Sequence, residues 1–300
     1  MFSIKNDLLS ISVKKTGAEL CKITSVKHGT EFMWDANPDV WSSFAPNLFP
    51  IIGALKNNTY IFEGQTYQLP KHGLARNNNN FIIHKLTENN LTFKLTFDEE
   101  SLKIYPFKFE FYISYTLSGS SIEVKHTVKN LDDKAMYFSL GGHPAFKCPV
   151  YSDENYNDYV LEFEQPETAS RHFINLDSGL VTGKTQPVLK NSDKLPLTHD
   201  LFNEDALIFK DLKSKKVTLK SKKHGNILSF SYNDFPYLGI WAKPTGDYVC
   251  IEPWLGIADY ENTDQEFTTK EGILNLKPKD YFSASYTIKI HNSHLVETRF

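Results

Sequence analysis

An all-β fold, a large antiparallel β-sandwich, is what this 300-residue sequence predicts, and three observations carry that expectation. Phenylalanine and tyrosine number 22 and 15, and aromatic side chains suit a pleated, half-buried surface. Apolar and polar residues alternate with period two over several runs, the pattern of a strand with one face in the core. Turn signals separate those runs, and no segment carries a convincing 3.6-residue stripe.

Taken in chain order, turns are expected at Lys56-Asn57-Asn58 and Glu63-Gly64-Gln65, and an irregular loop at Asn77 to Asn80, since asparagine tolerates turn conformations. Leu91, Phe93, Leu95 and Phe97 then share one strand face. From Phe107, residues Phe109, Phe111, Ile113, Tyr115 and Leu117 fall on one side, with Lys108, Glu110, Ser114 and Thr116 on the other. After the turn Ser118-Gly119-Ser120, the face of Ile122, Val124, His126 and Val128 follows, which makes His126 a core histidine. The run 213–225 holds six lysines around a short strand and the turn His224-Gly225-Asn226. It reads as a solvated, aggregation-resistant sheet edge rather than a polyanion site. Phe282, Ala284, Tyr286, Ile288 and Ile290 close the pattern. No internal repeat, linker or composition break appears, so a single domain over residues 1–300 is expected; β-sandwiches often reach this length.

Charge and composition exclude several functions. A net charge of −3 gives no field to attract nucleic acid or an anionic membrane. Arg76, Arg171 and Arg299 are the only arginines, few for a protein that grips several phosphates. Cys21, Cys148 and Cys250 form neither a disulfide framework nor a zinc pattern and suit a reducing compartment. The N-terminus lacks an uninterrupted apolar core, and no stretch approaches the roughly 18 apolar residues of a membrane span. A soluble cytoplasmic protein is therefore expected. There is no HExxH pattern, GxSxG elbow, phosphate-cradling glycine loop or dinucleotide fingerprint, so metal, covalent-hydrolase and nicotinamide chemistry lack support.

Three segments break the alternation with unusual polar residues: KHGLAR at 71–76, SLGGHPAFKCP at 139–149 and YVCIEPWLG at 248–256. In the second, Gly141-Gly142 permit close backbone approach and Pro144 fixes the exit, which sets His143 apart from an ordinary core or surface histidine. In the third, Glu252 interrupts an apolar stretch. The bland alternative is a glutamate on the solvent face of an edge strand. A carboxylate buried beside Trp254 would instead have a raised pKa, as a general base near neutrality requires.

Together with PNLFPIIGAL at 46–55 and DALIF at 205–209, these segments resemble the aldose 1-epimerase (galactose mutarotase-like) family, most closely its LacX-like branch. The resemblance covers nearly the whole chain. It implies the galactose mutarotase-like supersandwich, with an open face that binds a monosaccharide and needs neither cofactor nor metal. By motif, Glu252 resembles the general base and His143 the general acid; His72 resembles a second sugar-binding histidine. Arg76 and Asp205 resemble hydroxyl ligands, with Asp211 a nearby rival for Asp205, and Trp254 an apolar platform. One departure stands out: PNLFPIIG occupies the place where relatives carry an early arginine. Free hexose and hexose 6-phosphate, the latter held by Lys71 and Arg76, both remain open as substrates. A sugar-binding or sensing module without catalysis is the competing reading. A glycoside-cleaving enzyme fits less well, because such enzymes normally pair two carboxylates.

Overall fold

The computed structural model describes residues 1–296, so Arg299 lies outside the described residues. The alternating runs are strands. In Phe109–Ser118 and Ser121–Asn130, residues with even spacing are buried and those between them face outward or are half-buried. The two strands pair through the two-residue turn Gly119-Ser120, where Gly119 adopts φ 55°. Glu63 and Gly64, with φ 51° and 73°, likewise close a tight hairpin between Thr59–Phe62 and Gln65–Gln68. The paired positive-φ turn at Glu63-Gly64 matches the natural twist of the strands it joins. One short helix, Glu99–Ile104, is started by a capping box in which Asp98 and Ser101 bond each other's backbone.

Most strands belong to one 15-stranded antiparallel sheet. Its path begins at Asn47–Leu48 and passes through Leu140–Gly142, Tyr248–Leu255, Tyr237–Trp241 and Leu207–Phe209. It continues through Tyr159–Ile174, Lys216–Ser221, Gly225–Ser231 and Tyr281–Ile290, and then through Ser121–Asn130, Phe109–Ser118 and Asn90–Thr96 to the edge at Ile82–Leu86. The two ends of that path face each other across the core, which makes the sheet a sandwich. Asn47, at one end, donates from its amide to the Tyr115 hydroxyl at 3.3 Å and meets the His126 ring at 2.8 Å. Phe49 stacks on Phe111 with ring centres 4.5 Å apart. A contiguous cluster of buried apolar side chains runs from Ile4 to Leu295.

His126 is a core residue, as the alternation implies, fully buried at 0% exposure. The Asn47 amide donates to the Gly17 and Ala18 carbonyls, so its Oδ1 is an acceptor and His126 Nε2 carries the proton. Burial holds this imidazole down to about 3.

The lysine run departs from expectation. Strand Lys216–Ser221 is no edge, because it pairs with both Tyr159–Ile174 and Gly225–Ser231. Its outward lysines are met by acidic neighbours: Lys216 by Glu164 at 3.4 Å, Lys220 by Glu162 at 3.1 Å. Alternation reports which residues face the core but is blind to what pairs on either side, so a charged outer face reads as an edge.

Candidate active site

Glu252 lies in Tyr248–Leu255, a strand buried along its whole length because the sandwich covers both faces. Period-two geometry sends Cys250, Glu252 and Trp254 to one side. Opposite Glu252, in register, stands Gly239 of the next strand. A side chain there would overlap the Trp254 indole, its Cβ falling 2.7 Å from the ring. Gly239 thus makes room for Trp254 to lie beside Glu252.

His143 follows the short strand Leu140–Gly142. A Cβ at Gly142 would sit 2.8 Å from the Tyr286 ring, so the glycine is a close-approach residue. The chain then returns with the His143 amide bonded to the Pro46 carbonyl at 3.0 Å. The imidazole stacks on Trp41, with ring centres 4.9 Å apart, and meets Trp241 edge-on at 5.6 Å. Held in this aromatic slot, His143 Nε2 lies 3.3 Å from Glu252 Oε2. Oε2 of Glu252 and Nδ1 of His143 make no hydrogen bond within the protein.

Two further residues reach the site from strained backbone. His72 has φ 69° and Asp205 φ 61°, left-handed values that non-glycine residues adopt rarely and chiefly where surrounding structure imposes them. The His72 amide bonds the Gly53 carbonyl at 2.9 Å, and its Nδ1 accepts from the Gly53 amide at 3.1 Å. Nε2 of His72 must therefore carry the proton and serves as a donor. Asp205 Oδ1 accepts from the Ala206 amide at 2.6 Å. Arg76 is half-buried and donates to the Ser43 hydroxyl at 3.1 Å.

All of these converge on one cavity. His72, Arg76, His143, Asp205, Glu252 and Trp254, each singled out from the sequence, line it together. Lys71 is at its wall as well. Asp211 is exposed and lies outside the lining, so the geometry brings Asp205 rather than its rival to the cavity. The early PNLFPIIG segment contributes Ile52 and Gly53, an apolar surface. Sequence reasoning missed Trp41 and Trp241. The chain has only 4 tryptophans, and three of them line this cavity, so their scarcity was the available signal.

The electrostatics follow from burial. Glu252 is 2% exposed, and desolvation, then the charge of Asp205, push its carboxyl well above the usual carboxylate range. Desolvation, then the positive charge of Arg76, press His143 well below the usual imidazole value. Burial also lowers His72, with His143 adding to the effect. Between the lowered His143 and the raised Glu252, the pair holds one proton between them. Such a pair can give a proton at one atom and take one at another a few ångströms away. His143, Cys250 and Glu252 also have donor atoms within 4.8 Å of one another, a set that no local motif foretold. Burial and Glu252 push the Cys250 thiol well above its usual range, which opposes the thiolate that a metal requires.

Comparison with known proteins agrees with this architecture. The family model described as aldose 1-epimerase matches residues 1–274. Protein LacX of Lactococcus lactis subsp. lactis, in plasmid and chromosomal forms, is 35% identical over 297 residues, covering 96% of this chain and 99% of the relative. A galactose mutarotase related enzyme from Lactobacillus acidophilus superposes with a TM-score of 0.91 at 36% identity, covering 97% of both chains. A galactose mutarotase-like protein from Lactobacillus casei gives 0.90 at 29% identity, covering 97% of this chain and 100% of that one. With the family model spanning most of its length and these relatives matching end to end, the chain belongs to the aldose 1-epimerase family.

Proposed function

We propose that this protein is a mutarotase that interconverts the α and β anomers of a hexose, with Glu252 as base and His143 as acid. The observation that carries the reading is the buried contact between His143 Nε2 and Glu252 Oε2 at 3.3 Å on the wall of the shared cavity. In this mechanism the carboxylate takes the proton of the C1 hydroxyl while the imidazolium donates to the ring oxygen. The C1–O5 bond breaks, its electron pair going to O5, and an open aldehyde results. Rotation about C1–C2 presents the other carbonyl face, and closure returns both protons. The shared proton must sit on His143 when opening begins. A sugar hydroxyl donating to Glu252 stabilises the carboxylate and so favours that arrangement. Each positioned proton transfer contributes typically ~10²–10⁴-fold.

His72 Nε2, Arg76 and Asp205 would bond the sugar hydroxyls, and the Trp254 indole would pack against the apolar face of the ring. Single-domain organisation over residues 1–300 is part of the proposal, supported by the core that runs from Ile4 to Leu295. Lys71 and Arg76 at the cavity wall keep a 6-phosphate within the substrate class. Polarimetry on freshly dissolved α-glucose, α-galactose and their 6-phosphates tests the reading. Acceleration over the spontaneous rate is expected with at least one. Measurable binding of these sugars without acceleration of any would instead favour a binding or sensing module.

A further inference from the structure

Arg171 lies on the long strand Tyr159–Ile174, is 5% exposed, and lies outside the lining of the cavity. A guanidinium taken out of water must find acceptors. Among the described residues this one forms no ion pair within salt-bridge distance. Its Nη2 instead donates to three successive backbone carbonyls: Glu204 at 2.6 Å, Asp205 at 3.2 Å and Ala206 at 3.3 Å. The guanidinium carbon sits 4.5 Å from the centre of the Phe173 ring, which fixes the plane of the group.

Those carbonyls belong to the turn that enters strand Leu207–Phe209, and Asp205 at its centre holds the left-handed φ of 61°. The conformation turns the Asp205 carboxylate onto its neighbour's amide at 2.6 Å and into the cavity wall. Aspartate tolerates this region better than most residues because its side chain can bond locally, as Oδ1 does to the Ala206 amide, and the surrounding structure can add to that support. Three carbonyls gathered on one cation are the second, non-local support of the turn, since charge-assisted hydrogen bonds are roughly twice as strong as neutral ones. The same strand carries Ile174 into the cavity lining, so Arg171 ties one wall of the site to the turn that bears Asp205.

We propose that Arg171 is a positioning residue, which acts on substrate binding through Asp205 by clamping the backbone of residues 204–206. The proposal rests on the reading in which Asp205 bonds the sugar. Its effect lies in KM rather than kcat, because the clamp touches neither reacting group. Arg171→Met keeps the apolar stem and removes the donors; Arg171→Lys keeps a charge and part of the reach.

The experiment compares KM and kcat for wild type, Arg171→Met, Arg171→Lys, Asp205→Ala and the double variant Asp205→Ala/Arg171→Met. Loss of a hydrogen bond to a charged group predicts a KM rise of about 10-fold or more in Arg171→Met, with kcat changed far less. Arg171→Lys should fall between the two, and it carries the test if the methionine variant fails to fold. In the Asp205→Ala background the same substitution should add almost nothing. An equal rise in both backgrounds overturns the proposal, because Arg171 would then act on the fold at large. Amide hydrogen exchange over residues 202–207 reads the clamp without any activity. Faster exchange at Ala206 in Arg171→Met is expected, and unchanged exchange overturns it. If wild type accelerates no mutarotation, the functional reading falls, and the exchange arm alone decides whether Arg171 holds the turn.

Discussion

His126 and His143 are buried to nearly the same degree, 0% and 7% exposed, and burial lowers the proton affinity of both. Their neighbours differ. The His126 Nε2 donates to Asn47, whose own amide is spent on the Gly17 and Ala18 carbonyls, and its Nδ1 is buried without a partner among core side chains. His143 faces a carboxylate at 3.3 Å on the wall of a cavity, and Glu252 Oε2 is left without a hydrogen bond. A second contrast makes the same point. The buried ion pair of Lys270 and Asp259 is closed at 2.7 Å, and the second carboxylate oxygen accepts the Lys56 amide. Burial and a shifted pKa are therefore common to structural and chemical groups here. What separates His143 and Glu252 from His126 is that they face each other on the wall of a cavity, where a ligand can reach their unpaired atoms.

The comparison breaks most visibly at Glu252. Glu252→Gln removes the base while preserving shape, and a loss of ~10²–10⁴-fold in the enzymatic rate of anomer exchange is expected, with the fold intact by circular dichroism. His143→Asn should cost a similar factor. Wild-type rate should reach a plateau between the lowered His143 and the raised Glu252. It should fall on the acid side only below the ordinary imidazole value of 6.5, because His143 is lowered. On the alkaline side it should fall well above the ordinary carboxylate value of 4.5, as the pair loses its last proton from the raised Glu252. A pH–rate profile with an alkaline limb near 4.5 would contradict the shared-proton account.

Smaller effects sharpen the contrast. Asp205→Asn should raise KM by about 10-fold, the scale of one charge-assisted hydrogen bond, while Asp211→Asn leaves KM unchanged. Equal effects of the two would restore Asp211 as a rival. His126→Asn should leave kcat alone and lower stability by about 1–3 kcal/mol, since the Asn47 Oδ1 loses its donor. The sign of its pH dependence follows from linkage. Folded His126 takes up a proton only near 3, whereas the unfolded chain does so near 6.5. In that window the unfolded state binds more protons, so stability falls as pH falls. Denaturation midpoints should therefore drop less on acidification in His126→Asn than in wild type.

How much of this was legible in the sequence depends on how local each signal is. Strand faces were readable because period two is a property of neighbouring residues, and Phe107, Phe109, Phe111, Ile113, Tyr115 and Leu117 are buried as the alternation implies. Glu252 was readable as a charge inside an apolar run, and His143 through the glycine pair before it. Trp41 and Trp241 were not, nor was the contact of Arg171 with the turn that bears Asp205, because these depend on pairing across the sheet and on loops. The lysine run was misread for the same reason: Glu162 and Glu164, which neutralise it, lie on a strand far away in sequence. The meeting of His143 with Cys250 and Glu252 is likewise a product of the register between Ala145–Lys147 and Tyr248–Leu255.

The most direct test of the shared-proton pair is anomer exchange measured by magnetisation-transfer NMR on an equilibrated hexose, for wild type, Glu252→Gln and His143→Asn. Exchange accelerated by wild type and returned to near the spontaneous rate by each substitution is the predicted result. Full acceleration by either variant would mean that the 3.3 Å pair of His143 and Glu252 is not where the chemistry occurs.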